Sequence, residues 1–252
     1  MSKNYLFITG CPRSGTSALS LLMGAHPKIA MGVERFHNYV VPEFTLTEDF
    51  FEEERFFDFQ AEDSHINLEA QPRIKLNYER LKNRYNDCSY YGDKIPYLYK
   101  KYPELLTNFN KQGQLKILFI VRNILDVANS YNVRFEDQNL KWRRDVEKSV
   151  KDWNASLNRT MRLLDKFNAL YMVEYEDLYG EHSHKTLQGI MDFLELDMAP
   201  ELVGYYDKQI EKSKALEEKR SNNYTLNSFH KRYIIKHART QLYGRLLDPD
   251  NT

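Results

Sequence analysis

Ten residues near the N-terminus, 8–17 (ITGCPRSGTS), constrain this chain more than any other stretch. A short apolar run, residues 5–9, precedes them, and residues 17–23 (SALSLLM) after them read as a buried helix. Strand, glycine loop and helix in that order form a phosphate-binding unit, because loop N–H groups and the helix N-terminus point at an anion. Gly10 and Gly15 have the spacing of G-x-x-x-x-G-K-[ST], and Ser17 fills the last hydroxyl position. The lysine is missing. Thr16 stands in its place, and a cation comes three residues early as Arg13.

The rest of the chain repeats the alternation. Leu115–Val121 (LKILFIV) is the clearest buried strand; it ends in Arg122, and a helix follows from about residue 125. Val146, Val150, Trp153, Leu157, Met161 and Leu164 step by four, three, four, four and three, which is one face of a long helix. Further strands are expected at 29–31, 89–94 and 170–174. Helices are expected at 74–85, at 96–109 despite Pro103, and at 184–195, 200–218 and 228–243. Strands alternating with helices argue for a parallel sheet covered on both faces. The expected class is therefore α/β, with a central parallel sheet flanked by helices. No Pro/Gly/Ser-rich linker divides residues 1–252, so one domain is expected.

Lys plus Arg and Asp plus Glu each number 36, which argues against a general polyanion binder and against a nucleic-acid partner. The charge is uneven. Residues 43–63 carry nine acids and one Arg, whereas 219–247 carry seven Lys/Arg and no acid. Cys11 and Cys88 make neither a disulfide framework nor a zinc cluster. No apolar run has the length of a signal or a membrane span, so no transmembrane segment and a cytoplasmic location are expected.

The loop itself offers charge and donors. Arg13 supplies a bidentate fork, and Ser14, Thr16 and Ser17 supply hydroxyls. ATP chemistry would ask for a lysine at the β/γ-phosphates and an acid after the apolar strand to help hold Mg²⁺. The strand ends instead in Arg122, which suits a second anion.

On these residues the chain resembles the PAPS-dependent sulfotransferase family. The family's 5′-phosphosulfate loop is (K/R)-S-G-T-(T/S), matched by Arg13, Ser14, Gly15, Thr16 and Ser17. Its 3′-phosphate strand and helix carry an Arg and a Ser at the spacing of Arg122 and Ser130 in VRNILDVANSY. HPKIAMGVE, GDKIPYLYKKYPELL, VEYEDLYG and IMDFLEL resemble further family segments, in order, from about residue 5 to 196. The resemblance implies the three-layer P-loop NTPase-like form of the α/β class. It also implies transfer of a sulfuryl group from PAPS, leaving PAP, to a hydroxyl or amine acceptor by in-line displacement, with no metal. It assigns Arg13, Ser14, Gly15, Thr16, Ser17, Arg122, Ser130 and Tyr175 to the co-substrate, Tyr175 beside the adenine. It gives Glu34 as general base, with Lys94 of the D-K-x-P element and Arg13 acting at the transferred group.

The chain also departs from the cytosolic branch. Ala18 stands where that branch has a Trp, and the late R-K-G-x-x-G-D-W loop is missing. KRSNNYTLNSFHKRY is the nearest stretch, with Arg220 and Lys231 as candidates to cover the cofactor. These departures place the chain nearer the bacterial or Golgi-type branches with a glutamate base. His37 is a second candidate base, and an Arg35 partner is the plain structural account of Glu34. Cys11 sits where a helix N-terminus lowers thiol pKa, but a plain spacer role is the preferred reading. A P-loop kinase-like ATP-dependent phosphotransferase and a non-catalytic nucleotide-binding protein are the alternative functions. The acceptor class stays open among carbohydrate, tyrosine, lipid and small molecule, and the acidic stretch 43–63 disfavours a polyanion.

Overall fold

The computed structural model describes residues 3–111, 114–138, 142–180, 183–221 and 224–247, apart from the side chains of 214–221. Chain order begins with β1 (Asn4–Gly10), α1 (Thr16–Met23), β2 (Ile29–Val33), α2 (Glu53–Phe57), α3 (Pro72–Lys82), β3 (Tyr90–Lys94) and α4 (Tyr102–Phe109). It continues with β4 (Leu115–Val121), α5 (Ile124–Glu136), α6 (Val146–Leu164), β5 (Leu170–Glu174), α7 (Tyr175–Tyr179) and α8 (Ser183–Leu194). The last three are α9 (Pro200–Ser221), α10 (Ser228–His237) and α11 (Thr240–Leu247).

The five strands form one sheet in the order β2-β3-β1-β4-β5, with every pairing parallel. Their sequences explain this. Tyr5 and Phe7 of β1 point into one apolar layer and Leu6 and Ile8 into the other; Ile117 and Phe119 of β4 part from Leu118 and Ile120 in the same way. Strands apolar on both faces need helices on both sides, as parallel crossovers provide. Trp153 and Leu157 of α6 cover one face, and Leu19 of α1 with Ile190 of α8 cover the other. The expected α/β class with a parallel sheet between helical layers is what is observed.

Two expected helices break. Residues 96–109 divide into a 3₁₀ segment, Pro96–Lys101, and α4, with Pro103 in the first turn of α4 where a missing N–H costs no helical bond. Residues 228–243 divide at Ala238, which is extended. There Asn154 of α6 satisfies the freed backbone, donating to the His237 carbonyl at 2.8 Å and accepting from the Arg239 N–H at 2.8 Å.

The acidic, aromatic stretch after β2 has little regular structure and is held by side chains. Phe51 meets Tyr5, Phe7 and Phe109 edge-on at 5.7–5.8 Å between centroids. Arg35 is buried; it pairs with the equally buried Asp63 and donates to the carbonyls of Phe56 and Asp58 at 2.9 and 2.7 Å. Arg55 shares the same carboxylate. Burial pushes the Asp63 carboxyl up, but the two guanidinium groups outweigh it and hold it below its ordinary value. Asp63→Ala strands a buried guanidinium, and the expected loss is about 3–5 kcal/mol in urea unfolding. A loss under about 1 kcal/mol would show that the pair does not anchor this segment.

Candidate active site

In a parallel sheet all strands end at one edge, and ligands gather there. Here the loop after β1, Glu34 after β2, Lys94 at the end of β3 and Arg122 after β4 meet at that edge. The register aligns them, since Lys94 pairs with both Ile8 and Val33, and Gly10 pairs with Ile120.

The loop fits an anion. Gly15 begins α1 in the left-handed region, φ 97°, with no side chain capping the helix. A Cβ there would lie 2.5 Å from the Tyr175 ring, so only glycine fits. Arg13 is also left-handed, φ 73°, and its Nε donates to Ser130 Oγ at 2.9 Å. Ser14 Oγ is buried without a hydrogen-bond partner. So is Arg122 Nε, while Arg122 Nη2 lies 3.1 Å from Asp126 and its guanidinium stacks on Tyr175 at 4.1 Å. Buried polar groups without partners are costly, so the unpartnered Arg122 Nε in the wall of one cavity suits a polar ligand, whereas Ser14 is buried outside that wall. Arg13, Gly15, Thr16, Ser17, Arg122, Ser130 and Tyr175 all line this cavity of about 410 Å³.

A larger cleft, about 910 Å³, opens between α1, α3 and α9 and carries Arg73, Arg80, Lys208 and Lys212 against Glu201. It includes Ser17 but neither Arg13, Arg122 nor Ser130, so the two motifs meet in the smaller cavity.

Lys94 links this cavity to Glu34. Its ammonium donates to Ser17 Oγ at 3.0 Å and to Glu34 Oε1 at 2.5 Å, and the residue has no exposed surface. Glu34 does not pair with Arg35, which is committed to Asp63. Burial pushes the Glu34 carboxyl up, but Lys94 and the neighbouring His37 and His65 outweigh it, and it lies below the ordinary 4.5. Such a group adds stability above pH 4.5 that is lost as pH falls through its lowered value.

Several residues escaped sequence reasoning. Glu34 has φ 53°, held by its N–H bond to the Lys94 carbonyl at 2.9 Å and by Asp93. Asp93 accepts from the N–H groups of Arg35 and Phe36 at 3.1 and 2.8 Å, and burial pushes it up to about 6. His65 lies 3.4 Å from Glu34 Oε2 although 31 positions separate them in the chain. Tyr224 lines the smaller cavity and donates to Asp126 Oδ1 at 2.6 Å, while Thr225 is bonded to Asn129 and Asn132 of α5. Lys231 is exposed and outside the cavity lining, and the side chain of Arg220 lies outside the described residues. Cys11 is 1% exposed, and burial, with Asp152 nearby, pushes its thiol well above its ordinary value. Among the described residues no helix is long and apolar enough to cross a membrane.

Residues 6–200 match a family model described as the Sulfotransferase family. In structure the chain is similar to the sulfotransferase domain from the curacin biosynthetic pathway, with 19% identity, 81% of this chain and 78% of that one covered, and TM-score 0.54. It is also similar to the sulfotransferase domain of the Synechococcus PCC 7002 olefin synthase, with 20% identity, the same coverage, and TM-score 0.53. No sequence among curated proteins matches it.

Replacing Lys94 by Met removes the ammonium and leaves burial as the largest influence on Glu34. Carbon-13 titration of the glutamate carboxyls should then find Glu34 above 4.5 in Lys94→Met and below it in the parent. Stability should correspondingly be lost as pH rises through the new value. A Glu34 that stays below 4.5 without Lys94 would remove the pairing as the cause.

Proposed function

We propose, from the premise that this chain belongs to the sulfotransferase family, that it moves a sulfuryl group from PAPS to an acceptor hydroxyl or amine, with Glu34 as general base. The observation that carries this reading is one cavity lined by two separate arginines, Arg13 and Arg122, the second with a buried Nε that has no partner. PAPS, when bound, supplies an activated sulfuryl group on its 5′-phosphate and a second anion at its 3′ position, and it leaves as PAP. Ser14, Gly15, Thr16 and Ser17 with Arg13 are the residues that would hold the 5′ end. Arg122 and Ser130 would hold the 3′-phosphate, and Tyr175 lies on the wall beside Ala18.

The roles of the chain's own groups follow from charge. Arg13 and the open N-terminus of α1 stabilise negative charge developing at the loop. Lys94 donates to Glu34 Oε1 and Ser17 Oγ at once, and its third N–H is the one that would serve the transferred group. Glu34, ionised through the neutral range, is in the protonation state that a base needs. Its lowered pKa gives a modest driving force, so positioning supplies most of the gain. A cation at the end of β4, where an ATP-dependent enzyme would place a metal-holding acid, favours a second phosphate over Mg²⁺–ATP.

Calorimetry with PAP tests the reading. Arg122→Ala and Arg13→Ala should each weaken binding by about 1.5–3 kcal/mol, roughly ten- to 150-fold, the scale of hydrogen bonds to a charged group. Unchanged affinity in folded variants, or binding of Mg²⁺–ATP without PAP, would overturn it. Glu34→Gln keeps the shape and the Lys94 contact. It should spare PAP affinity and lower turnover by about 10²-fold or more, measured with sulfur-labelled PAPS across an acceptor panel.

A further inference from the structure

We propose that Glu34, His37 and His65 form a binding site for a divalent transition metal ion of the zinc type, on the side of Glu34 that faces away from Lys94. The two carboxylate oxygens are divided between two environments. Oε1 accepts from Lys94, while Oε2 lies 3.4 Å from His65 Nε2 and 3.9 Å from His37 Nδ1. All three donor atoms lie within 4.8 Å of one another. Ligands about 2.0–2.2 Å from one tetrahedral ion are roughly 3.3–3.6 Å apart. The Glu34–His65 spacing already matches, and small side-chain rotations bring His37 into the same shell.

Each member is held for this arrangement. His37 Nδ1 is buried and has no hydrogen-bond partner, although it is turned toward a carboxylate. An imidazole nitrogen in that state costs stability unless something completes it. The rings of His37 and His65 meet edge-on at 5.0 Å, which keeps His65 on the Glu34 side even though its side chain is 62% exposed. The backbone under both is anchored. Asp93 fixes the N–H groups of Arg35 and Phe36 just before His37, and Asp63, paired with Arg35, fixes the chain two residues before His65.

The donor set chooses the ion. Two imidazoles and one carboxylate suit Zn²⁺, Co²⁺, Ni²⁺ or Cu²⁺ better than Mg²⁺ or Ca²⁺, which prefer all-oxygen shells. Three protein ligands leave a fourth position open. An ion on Oε2 would take the electron pair that Glu34 uses to accept a proton. The site is therefore inhibitory, a consequence that, unlike the binding, rests on Glu34 as the base.

Equilibrium dialysis of the full chain against Zn²⁺, with Co²⁺ absorption as a second probe, tests the site. One ion per chain is expected, with affinity lowered at least tenfold in His65→Ala and further in His37→Ala/His65→Ala. His65 lies exposed at the surface, so its replacement keeps the test intact should the double variant misfold. Binding well below one equivalent, or equal Zn²⁺ affinity in parent and His65→Ala, overturns the proposal. Loss of PAP binding would count against the sulfuryl-transfer reading and would leave the metal result standing.

Discussion

A lysine with no exposed surface sits at the centre of this sheet edge, and much of the site follows from its need for partners. An ammonium removed from water costs several kcal/mol unless paired and hydrogen-bonded. Lys94 meets the need with one carboxylate and one hydroxyl, Glu34 and Ser17. Those partners come from the ends of two other segments, β2 and the phosphate loop. A single buried charge thus ties the end of β3 to the start of α1 and to the turn after β2. Glu34 must adopt a left-handed backbone to reach it, a conformation that costs a non-glycine residue about 1–2 kcal/mol. Asp93 stabilises that turn from below through two backbone N–H groups.

How legible this was in the sequence depended on distance along the chain. The β1–loop–α1 unit, the strand Leu115–Val121 and the helix Val146–Leu164 each carry their signal within one window, and each lies where periodicity places it. Arg13, Gly15, Thr16 and Ser17 line one cavity with Arg122 and Ser130, while Ser14 is buried outside that lining. The misses are long-range. Nothing local shows that Asp63 belongs to Arg35 or that His65 returns to Glu34. The break at Ala238 was hidden because the group that stabilises it, Asn154, lies 84 positions earlier. Cys11, read as a spacer, is buried as that reading implies. A helix terminus and burial shift a thiol in opposite directions, and only the fold shows which is larger.

Composition misled in one more respect. Residues 43–63 read as an acidic face, yet Asp63 is a buried anchor for two arginines, and Phe51 and Phe56 are core. The run is a core segment with solvated acids between its anchors. It says correspondingly little about the charge of an acceptor. The basic residues of the C-terminal stretch are equally indirect. Tyr224, an uncharged residue, reaches the cavity and is bonded to Asp126 of α5, while the neighbouring Thr225 is bonded to Asn129 and Asn132 of the same helix.

Asp126 is the remaining puzzle, a carboxylate in a cavity read as an anion site. Arg122 resolves it, because a guanidinium has five donors and two faces. Asp126 takes Nη2, Tyr175 covers a face, and Nε stays buried and unpaired. On the proposed reading, positioning and binding would therefore use different donors of one side chain. Asp126 and Tyr175 fix the plane of the fork before any ligand arrives, which lowers the ordering cost of binding. Asp126 also receives Tyr224, so the group that aims Arg122 is the group that draws the C-terminal strap over the cavity. A neutral residue at 126 would relieve repulsion with an incoming phosphate but would release both the fork and the strap. The carboxylate is tolerable there because its charge is already engaged by both.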